Sequence, residues 1–317
     1  MTFLTKVKEN QNIKKPVIFG FSSTTLSEEE KQFFKEVGPI GFIIFSRNIQ
    51  NKAQLKSLTD SLRDLMGGEV LILIDQEGGR VARLKQPHWP KYPTGEYFSN
   101  LYDQDPEKAK KELFTNFQNI ATDLIEVGIN VDCAPVLDVL SPKTHDVIGD
   151  RAYGDNPKKV SDLGLVVCEA LLSKDVYPII KHIPGHGLGA CDSHLELPIV
   201  DESFDALRKN DFAPFKDLKD QKFVMTAHIK YSSIDSDNCT TMSKKAIDVI
   251  RNEIGFKNIL MSDDLSMKAL KGSFFDRTKK SLESGCDLIL HCNGDMVEMK
   301  EINTALPLIQ ENLLKKI

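Results

Sequence analysis

The sequence predicts an α/β fold, a (β/α)8 (TIM) barrel, because eight short apolar segments alternate with segments of helical pattern over 317 residues. Most apolar segments are nearly continuous runs of Val, Ile, Leu and Phe, which is typical of parallel strands buried on both faces. The segments between them mix acidic, basic and apolar residues, as helices with one buried face do. A doubly wound open sheet is the structural alternative. No GxGxxG or GxxxxGK[ST] pattern follows an early strand, so a nucleotide-binding version of that sheet has little support.

The predicted strands cover residues 17–21, 41–45, 70–75, 128–139, 177–182, 223–228, 259–263 and 287–292. The first predicted helix follows Ser27, a capping residue that precedes three consecutive glutamates. The second covers 52–66 and carries leucines at spacings of three and four. The other helical segments lie at 106–127, 157–173, 203–218, 243–254, 268–284 and 296–314. No low-complexity linker or shift of composition interrupts the chain, so a single domain over residues 1–317 is expected.

The charge, the apolar runs and the cysteines of the sequence indicate which binding partners and which cellular compartment to expect. The formal net charge is −5 and no long basic stretch occurs, so neither nucleic acid nor an anionic membrane has electrostatic support as a partner. The N-terminal residues lack the apolar core of a signal peptide, and no apolar run reaches the roughly 18 residues of a membrane span. The cysteines form no CxxC pair, which predicts a reducing, cytoplasmic location without disulfides or a zinc knuckle. No cofactor is expected, and the oligomeric state stays open.

Polar side chains follow several predicted strands at their C-terminal ends, where barrels of this kind carry their active sites. These side chains are Asp75, Asp138, Arg151, Lys181, His182, His228, Asp263 and Asp264. Such groups are costly to bury without a partner or a purpose. The set predicts a convergent polar pocket, and salt bridges at the barrel mouth are the alternative explanation.

A glycine-rich loop follows the fifth predicted strand. Residues 181–194 read KHIPGHGLGACDSH, and three glycines with one proline predict a loop rather than a helix. The loop ends in Asp192 and His194, which face the same way if the segment is extended. The carboxylate can therefore orient the imidazole for proton transfer. A capped surface turn is the alternative for this pattern taken alone.

Four segments together resemble glycoside hydrolase family 3 β-N-acetylglucosaminidases. The loop at 181–194 resembles the family's KHxPGHG…DxH signature, and residues 75–83 its D[QH]EGGRVxR segment. Residues 147–154 resemble its IG[DE]R segment, and 262–267 its [ST]DxLxM segment. The segments occur in the family's order, and the strand pattern extends the similarity over nearly the whole chain. Ile183 replaces the usual phenylalanine, which should alter packing rather than chemistry. The sandwich-like second domain of many larger members is not expected, which leaves barrel loops to complete the pocket.

The resemblance implies a retaining exo-β-N-acetylglucosaminidase that acts on terminal non-reducing β-linked sugar, with cell-wall muropeptides as substrates in peptidoglycan recycling. It makes Asp263 the nucleophile, and a carboxylate at a strand end is rigid enough to attack an anomeric carbon. Asp264 is a rival, although neighbouring side chains on a strand point to opposite faces. The resemblance makes His194 the general acid and then the general base, with Asp192 as its partner. Most retaining glycosidases use a second carboxylic acid in that role.

The resemblance also assigns sugar binding to five residues, Asp75, Arg83, Arg151, Lys181 and His182. Carboxylates accept hydrogen bonds from sugar hydroxyls, and the cationic side chains donate to hydroxyls or to the acetamido carbonyl. The roles of four neighbours stay open, namely Glu77, Arg80, His186 and His228.

Other functions on the same barrel also stay open. A metal-dependent hydrolase would use as ligands His182, His186, His194 and His228. The first strand lacks an HxH pair, however, and no HExxH motif occurs. A Schiff-base lyase or aldolase would use Lys181. A sugar-binding protein without catalysis is disfavoured, because Asp263 and the pair Asp192–His194 are all retained.

Overall fold

The computed structural model describes residues 2–193 and 195–317, and its centre is a closed barrel of eight parallel strands. The strands of this part of the chain are β1 (Lys15–Phe19), β2 (Pro39–Ile44), β3 (Leu71–Ile74), β4 (Val131–Asp132), β5 (Tyr177–Ile183), β6 (Ile199–Val200), β7 (Phe223–Thr226), β8 (Lys230–Tyr231), β9 (Ile259–Asp264) and β10 (Leu288–His291). The barrel order is β1-β10-β9-β7-β5-β4-β3-β2, while β6 and β8 pair separately in parallel. The predicted (β/α)8 barrel is confirmed.

The first and last strands close the barrel. Val17 of β1 lies opposite Ile289 of β10, and Phe19 lies opposite His291. β2, β3, β7 and β10 are buried along their whole length, as parallel strands covered by helices should be.

Helices pack around the barrel. They are α1 (Phe3–Glu9), α2 (Glu28–Val37), α3 (Lys52–Met66), α4 (Gly95–Gln104), α5 (Pro106–Glu126), α6 (Pro157–Leu172), α7 (Phe204–Lys209), α8 (Phe212–Asp217), α9 (Lys244–Val249), α10 (Phe274–Ser284), α11 (Met296–Ala305) and α12 (Glu311–Lys316). The α2 terminus has a capping box: the Ser27 hydroxyl accepts from the Glu30 N–H, and the Glu30 carboxylate accepts from the Ser27 N–H. Helix α3 buries Leu55, Leu58 and Leu62, as its leucine spacing predicts.

The predicted strand at 128–139 is wrong in length, because only Val131–Asp132 joins the barrel ladder. Pro135 has no N–H to donate to a neighbouring strand. The Cys133 N–H still donates to the carbonyl of Ile74, but the Leu137 N–H donates to the carbonyl of Lys181. Beyond Asp132, Val136 forms only an isolated parallel bridge with Lys181 of β5, so the segment does not continue as one regular strand.

Several predicted helices are also shorter than expected. The segment at 203–218 is split into α7 and α8, since Pro214 cannot donate to the preceding turn and fits only the first turn of a new helix. Pro307 similarly separates α11 from α12. The segment at 268–284 is helical only from Phe274, where the Ser273 hydroxyl caps α10. Helices α1 and α4 were not predicted.

Two further features concern membrane-spanning helices and the cysteines. Among residues 2–193 and 195–317, no helix combines the length and the apolar character needed to cross a membrane. All six cysteines are free thiols, and five of them are buried.

Candidate active site

A cavity of about 300 Å³ opens at the C-terminal ends of the barrel strands. Six residues predicted from the sequence line it together: Asp75, Arg83, Arg151, Lys181, His182 and Asp263. Its wall also includes Arg80, His186, Ser193 and Asp264. Asp192 is half-buried next to Ser193 and is not part of the cavity wall. His194 lies outside the described residues.

Asp75 connects two of the predicted sugar-binding cations. One carboxylate oxygen accepts a hydrogen bond from the Lys181 ammonium at 2.9 Å. The other accepts from the Arg83 guanidinium at 3.0 Å. Because Asp75 follows β3 and Lys181 lies within β5, these contacts join strand ends that are 106 residues apart in the chain.

Glu77, whose role the sequence left open, extends this chain of charges. Its carboxylate contacts the Lys181 ammonium at 2.6 Å. Both of its oxygens accept from the guanidinium of Arg151, each at 2.8 Å, in the bidentate geometry that arginine favours. The cluster therefore alternates in charge from Arg83 through Asp75, Lys181 and Glu77 to Arg151.

The pKa shifts in this cluster follow from its alternating charges. Burial alone would raise the pKa of Asp75, but Lys181 and Arg83 hold it well below its usual range. Burial would also raise the pKa of Glu77, but Arg151 and Lys181 lower it to about 2. Burial would lower the pKa of Lys181, but Asp75 and Glu77 raise it above its usual value. All three groups are charged at neutral pH, so Glu77 cannot serve there as a general acid. A protonated Lys181 is likewise a poor nucleophile for a Schiff base.

Asp138 orients His182, which follows Lys181 in β5. It is fully buried, and its carboxylate lies 2.7 Å from Nδ1 of His182. It also accepts the backbone N–H groups of His182 and His186, at 3.2 and 2.6 Å. Burial would raise the pKa of Asp138, but His182 lowers it to about 2. An ionised carboxylate only accepts hydrogen bonds, so Nδ1 of His182 carries the proton in this contact. Sequence reasoning noted the position of Asp138 but did not assign this role.

The two neighbouring aspartates at the end of β9 differ in their contacts. Both oxygens of Asp264 accept hydrogen bonds from Ser266, through its N–H at 2.9 Å and its hydroxyl at 2.6 Å. Asp264 also accepts the Cys292 N–H at 3.0 Å, which ties the loop after β9 to the end of β10. One oxygen of Asp263 accepts the Asp264 N–H at 2.8 Å. The Asp264 carboxylate thus stabilises the loop, which favours Asp263 as the reacting group.

The histidines and Arg80, left open by the sequence, have distinct surroundings. His186 borders the cavity, its Nε2 lies 3.0 Å from the Ser193 hydroxyl, and burial lowers its pKa to about 4. His228 is fully buried and does not border the cavity. Arg80 is about half exposed and donates to Asp150 at 2.6 Å on the loop that precedes Arg151.

The described residues contain no group of three or more His, Cys, Asp or Glu side chains arranged to hold a metal ion. Of the histidines considered as ligands, His182 is bound to Asp138, His186 to Ser193 and His228 to Thr241. Ile183, the departure from the family signature, is fully buried and does not border the cavity, in line with a role in packing.

Known proteins match this chain over most of its length. Residues 6–313 match the glycosyl hydrolase family 3 N terminal domain. The beta-hexosaminidase of Alkalilimnicola ehrlichii is 36% identical over 282 residues, covering 88% of this chain and 80% of that protein. The beta-hexosaminidase of Nitrosomonas eutropha is 33% identical over 295 residues, covering 92% and 84%.

Solved structures agree with this relationship. NagZ from Neisseria gonorrhoeae in complex with N-trifluoroacetyl-D-glucosamine superposes with a TM-score of 0.88 and 33% identity, covering 96% of this chain and 89% of that one. A second structure of that protein, in complex with zinc ion, superposes with a TM-score of 0.87, 32% identity and the same coverage. The chain therefore belongs to glycoside hydrolase family 3, and it is a β-N-acetylhexosaminidase.

Proposed function

We propose that this enzyme is a retaining exo-β-N-acetylglucosaminidase that releases terminal, non-reducing, β-linked N-acetylglucosamine. The observation that carries the proposal is that Asp263 borders the same small cavity as the charged cluster around Asp75 and Lys181. A volume of about 300 Å³ is at the lower end for ligand pockets, and it suits one terminal sugar. NagZ from Neisseria gonorrhoeae, crystallised with an N-acylated glucosamine, supports the same sugar for this chain.

In the proposed first step, the Asp263 carboxylate attacks the anomeric carbon and forms a glycosyl ester. The bond to the leaving oxygen breaks, and His194 gives that oxygen a proton, so that the aglycone leaves as an alcohol. In the second step, His194 takes a proton from water. The resulting hydroxide attacks the anomeric carbon and releases the Asp263 carboxylate.

The assignment of His194, with Asp192 as its orienting partner, rests on the sequence signature. It is supported by Ser193, which directly precedes His194 and borders the cavity. Ser193 also contacts His186 of the same loop, so the segment before His194 is anchored to the cavity wall.

The charged cluster supports sugar binding by Asp75, Arg83, Arg151, Lys181 and His182. Ionised Asp75 accepts hydrogen bonds from hydroxyl groups, and protonated Lys181 donates to them. Because Asp75, Lys181 and Glu77 each lie between two opposite charges, the side chains are held in place before the sugar arrives. Preorganised donors and acceptors of this kind distinguish one sugar from its epimers and analogues.

We further propose that the natural substrates are N-acetylglucosaminyl muropeptides of peptidoglycan recycling, and that residues 1–317 act as one catalytic domain in the cytoplasm. The muropeptide substrate is supported by the resemblance to single-barrel members of the family. A cytoplasmic location is supported by the six free cysteines, since thiols persist in reducing compartments.

A panel of aryl β-glycosides that differ only at the 2-position tests the proposed function. We expect release from the β-N-acetylglucosaminide and none from the β-glucoside or the β-glucosaminide. Asp263→Asn is the inactive control, and Asp60→Asn, on the exposed face of α3, is the matched control that keeps activity. Equal hydrolysis of the glucoside would contradict the sugar assignment.

The same assay separates the two alternative reactions. We expect activity to survive a chelator, whereas a metal-dependent hydrolase would lose it. The chelator test is informative because NagZ from Neisseria gonorrhoeae has been crystallised in complex with zinc ion. Borohydride together with a carbonyl substrate should trap no adduct on Lys181, whereas a Schiff-base lyase would be labelled there.

A further inference from the structure

Two threonines and a histidine behind the cavity form a continuous hydrogen-bond chain. The Asp263 N–H donates to Oγ1 of Thr226 at 3.2 Å, and that oxygen lies 2.8 Å from Oγ1 of Thr241. Oγ1 of Thr241 lies 2.7 Å from Nδ1 of His228. Nε2 of His228 lies 3.0 Å from the backbone carbonyl of Asp264. The chain thus starts at the N–H of one aspartate and returns to the carbonyl of the next.

The direction of every hydrogen bond in this chain follows from simple chemistry. A carbonyl oxygen only accepts, so Nε2 of His228 carries a proton. Burial lowers the pKa of His228, so the ring is neutral and its Nδ1 is an acceptor. Thr241 therefore donates to Nδ1, and Thr226 donates to Thr241. The Thr241 hydroxyl also lies near the carbonyl of Ala227, but at the longer distance of 3.3 Å.

This hydrogen-bond chain begins where the backbone pairing between β7 and β9 ends. The pairing between β7 and β9 ends with Met225 opposite Met261, two residues before Asp263. Beyond that pair, the Thr226 hydroxyl supplies the acceptor for the Asp263 N–H that the ladder does not. Thr226, Thr241 and His228 are all fully buried, and none of them borders the cavity.

We propose that Thr226, Thr241 and His228 are positioning residues for the nucleophile. By holding the N–H of Asp263 and the carbonyl of Asp264, they set the direction in which the Asp263 carboxylate enters the cavity. Nucleophilic attack is sensitive to such placement, because a displacement of about 1 Å costs roughly 10²-fold in rate. The inference rests on the proposed role of Asp263.

Shape-preserving variants test this role. Thr226→Val and Thr241→Val remove the hydroxyl, whereas Thr226→Ser and Thr241→Ser keep it. With a nitrophenyl β-N-acetylglucosaminide, we expect each valine variant to form the glycosyl-enzyme about 10- to 100-fold more slowly. The dissociation constant for N-acetylglucosamine should not change, and the serine variants should regain most of the rate.

Thr59→Val is the matched control. Thr59 is also fully buried and donates to the Val127 carbonyl at 2.7 Å, but it lies on α3, away from the cavity. We expect this variant to melt at a lower temperature without a slower glycosylation step. The proposal is overturned if the valine variants react at the wild-type rate. It is also overturned if their sugar binding weakens as much as their rate falls, since that pattern indicates a general structural role.

NMR of the His228 ring tests the hydrogen-bond chain directly and does not depend on hydrolysis. The ¹⁵N NMR signals of the His228 ring, assigned by their loss in His228→Gln, should show a neutral ring protonated at Nε2. Thr241→Val should move the Nδ1 signal and leave the Nε2 signal in place. A proton on Nδ1 would overturn the proposed direction of the chain. If Asp263 proves not to be the nucleophile, the NMR result stands and the positioning role is lost, so the two failures can be told apart.

Discussion

Both carboxylate oxygens of Glu77 accept hydrogen bonds from the guanidinium of Arg151, at 2.8 Å each. One of these oxygens also contacts the buried ammonium of Lys181. Glu77 is therefore the shared counter-ion of two cations, and it holds both of them at the wall of the cavity.

Glu77→Gln keeps the size of the side chain but removes its charge. We expect the free energy of unfolding to fall by about 3–5 kcal/mol, because the buried Arg151 loses its carboxylate partner and Lys181 keeps only Asp75. Urea denaturation measures this loss. Asp60→Asn is the control, since the ion pair of Asp60 with Lys56 is about half exposed and should contribute no more than about 1 kcal/mol. Equal losses in the two variants would contradict the counter-ion role of Glu77.

Hydrolysis should proceed with retention, through a covalent intermediate on Asp263. Two displacements each invert the anomeric carbon, so NMR should show the β-anomer as the first-formed sugar. A fluorinated slow substrate followed by peptide mass mapping should label Asp263, also in Asp264→Asn. Initial formation of the α-anomer would exclude this mechanism. Strong inhibition by a thiazoline mimic without any adduct would instead indicate attack by the acetamido oxygen of the substrate.

His194→Ala should impair substrates with poor leaving groups far more than activated ones. A sugar leaving group needs a proton as its bond breaks, and general acid catalysis contributes about 10²–10⁴-fold. A nitrophenolate leaves with little help, but the second step still needs a base. Stopped-flow measurements should therefore show a burst of nitrophenol followed by slow turnover.

Two further variants check the assignment of His194. Asp192→Ala should give a weaker version of the same behaviour, because the imidazole remains but is less well oriented. Asp263→Ala should abolish the burst and the turnover alike. An equal loss of activity across all leaving groups in His194→Ala, with no burst, would show that another group is the acid/base.

His186 should make the stability of the protein depend on pH. Burial lowers its pKa to about 4, whereas an ordinary histidine titrates near 6.5. Between pH 4 and 6.5 the unfolded chain therefore binds a proton at His186 and the folded protein does not. The contribution of neutral His186 to the free energy of unfolding is complete above pH 6.5 and is lost as the pH falls towards 4. The difference in unfolding free energy between the wild type and His186→Gln should decrease by about 3 kcal/mol over that range. A difference that stays constant with pH would contradict a buried, neutral His186.

Much of the fold could be predicted from the sequence because strand burial and helix capping are local properties. The run of apolar residues in β2 and the leucine spacing of α3 each reveal which faces are buried. The prediction of one strand at 128–139 was wrong in length because the apolar composition of a segment does not reveal that Pro135 has no N–H to pair with a neighbouring strand. The break between α7 and α8 was missed for the same reason, at Pro214.

The sequence by itself determined the eightfold alternation, the order of the four motifs and the residue types available for chemistry at the strand ends. Only the tertiary structure decided that Glu77 is a counter-ion, that Asp264 stabilises a loop and that His228 contacts the backbone behind Asp263 instead of the cavity. Each of these roles depends on a contact between segments that are far apart in the chain, such as Glu77 with Arg151. A hydrogen bond exists only when its atoms lie within about 3 Å of each other, and folding alone brings such distant groups to that distance.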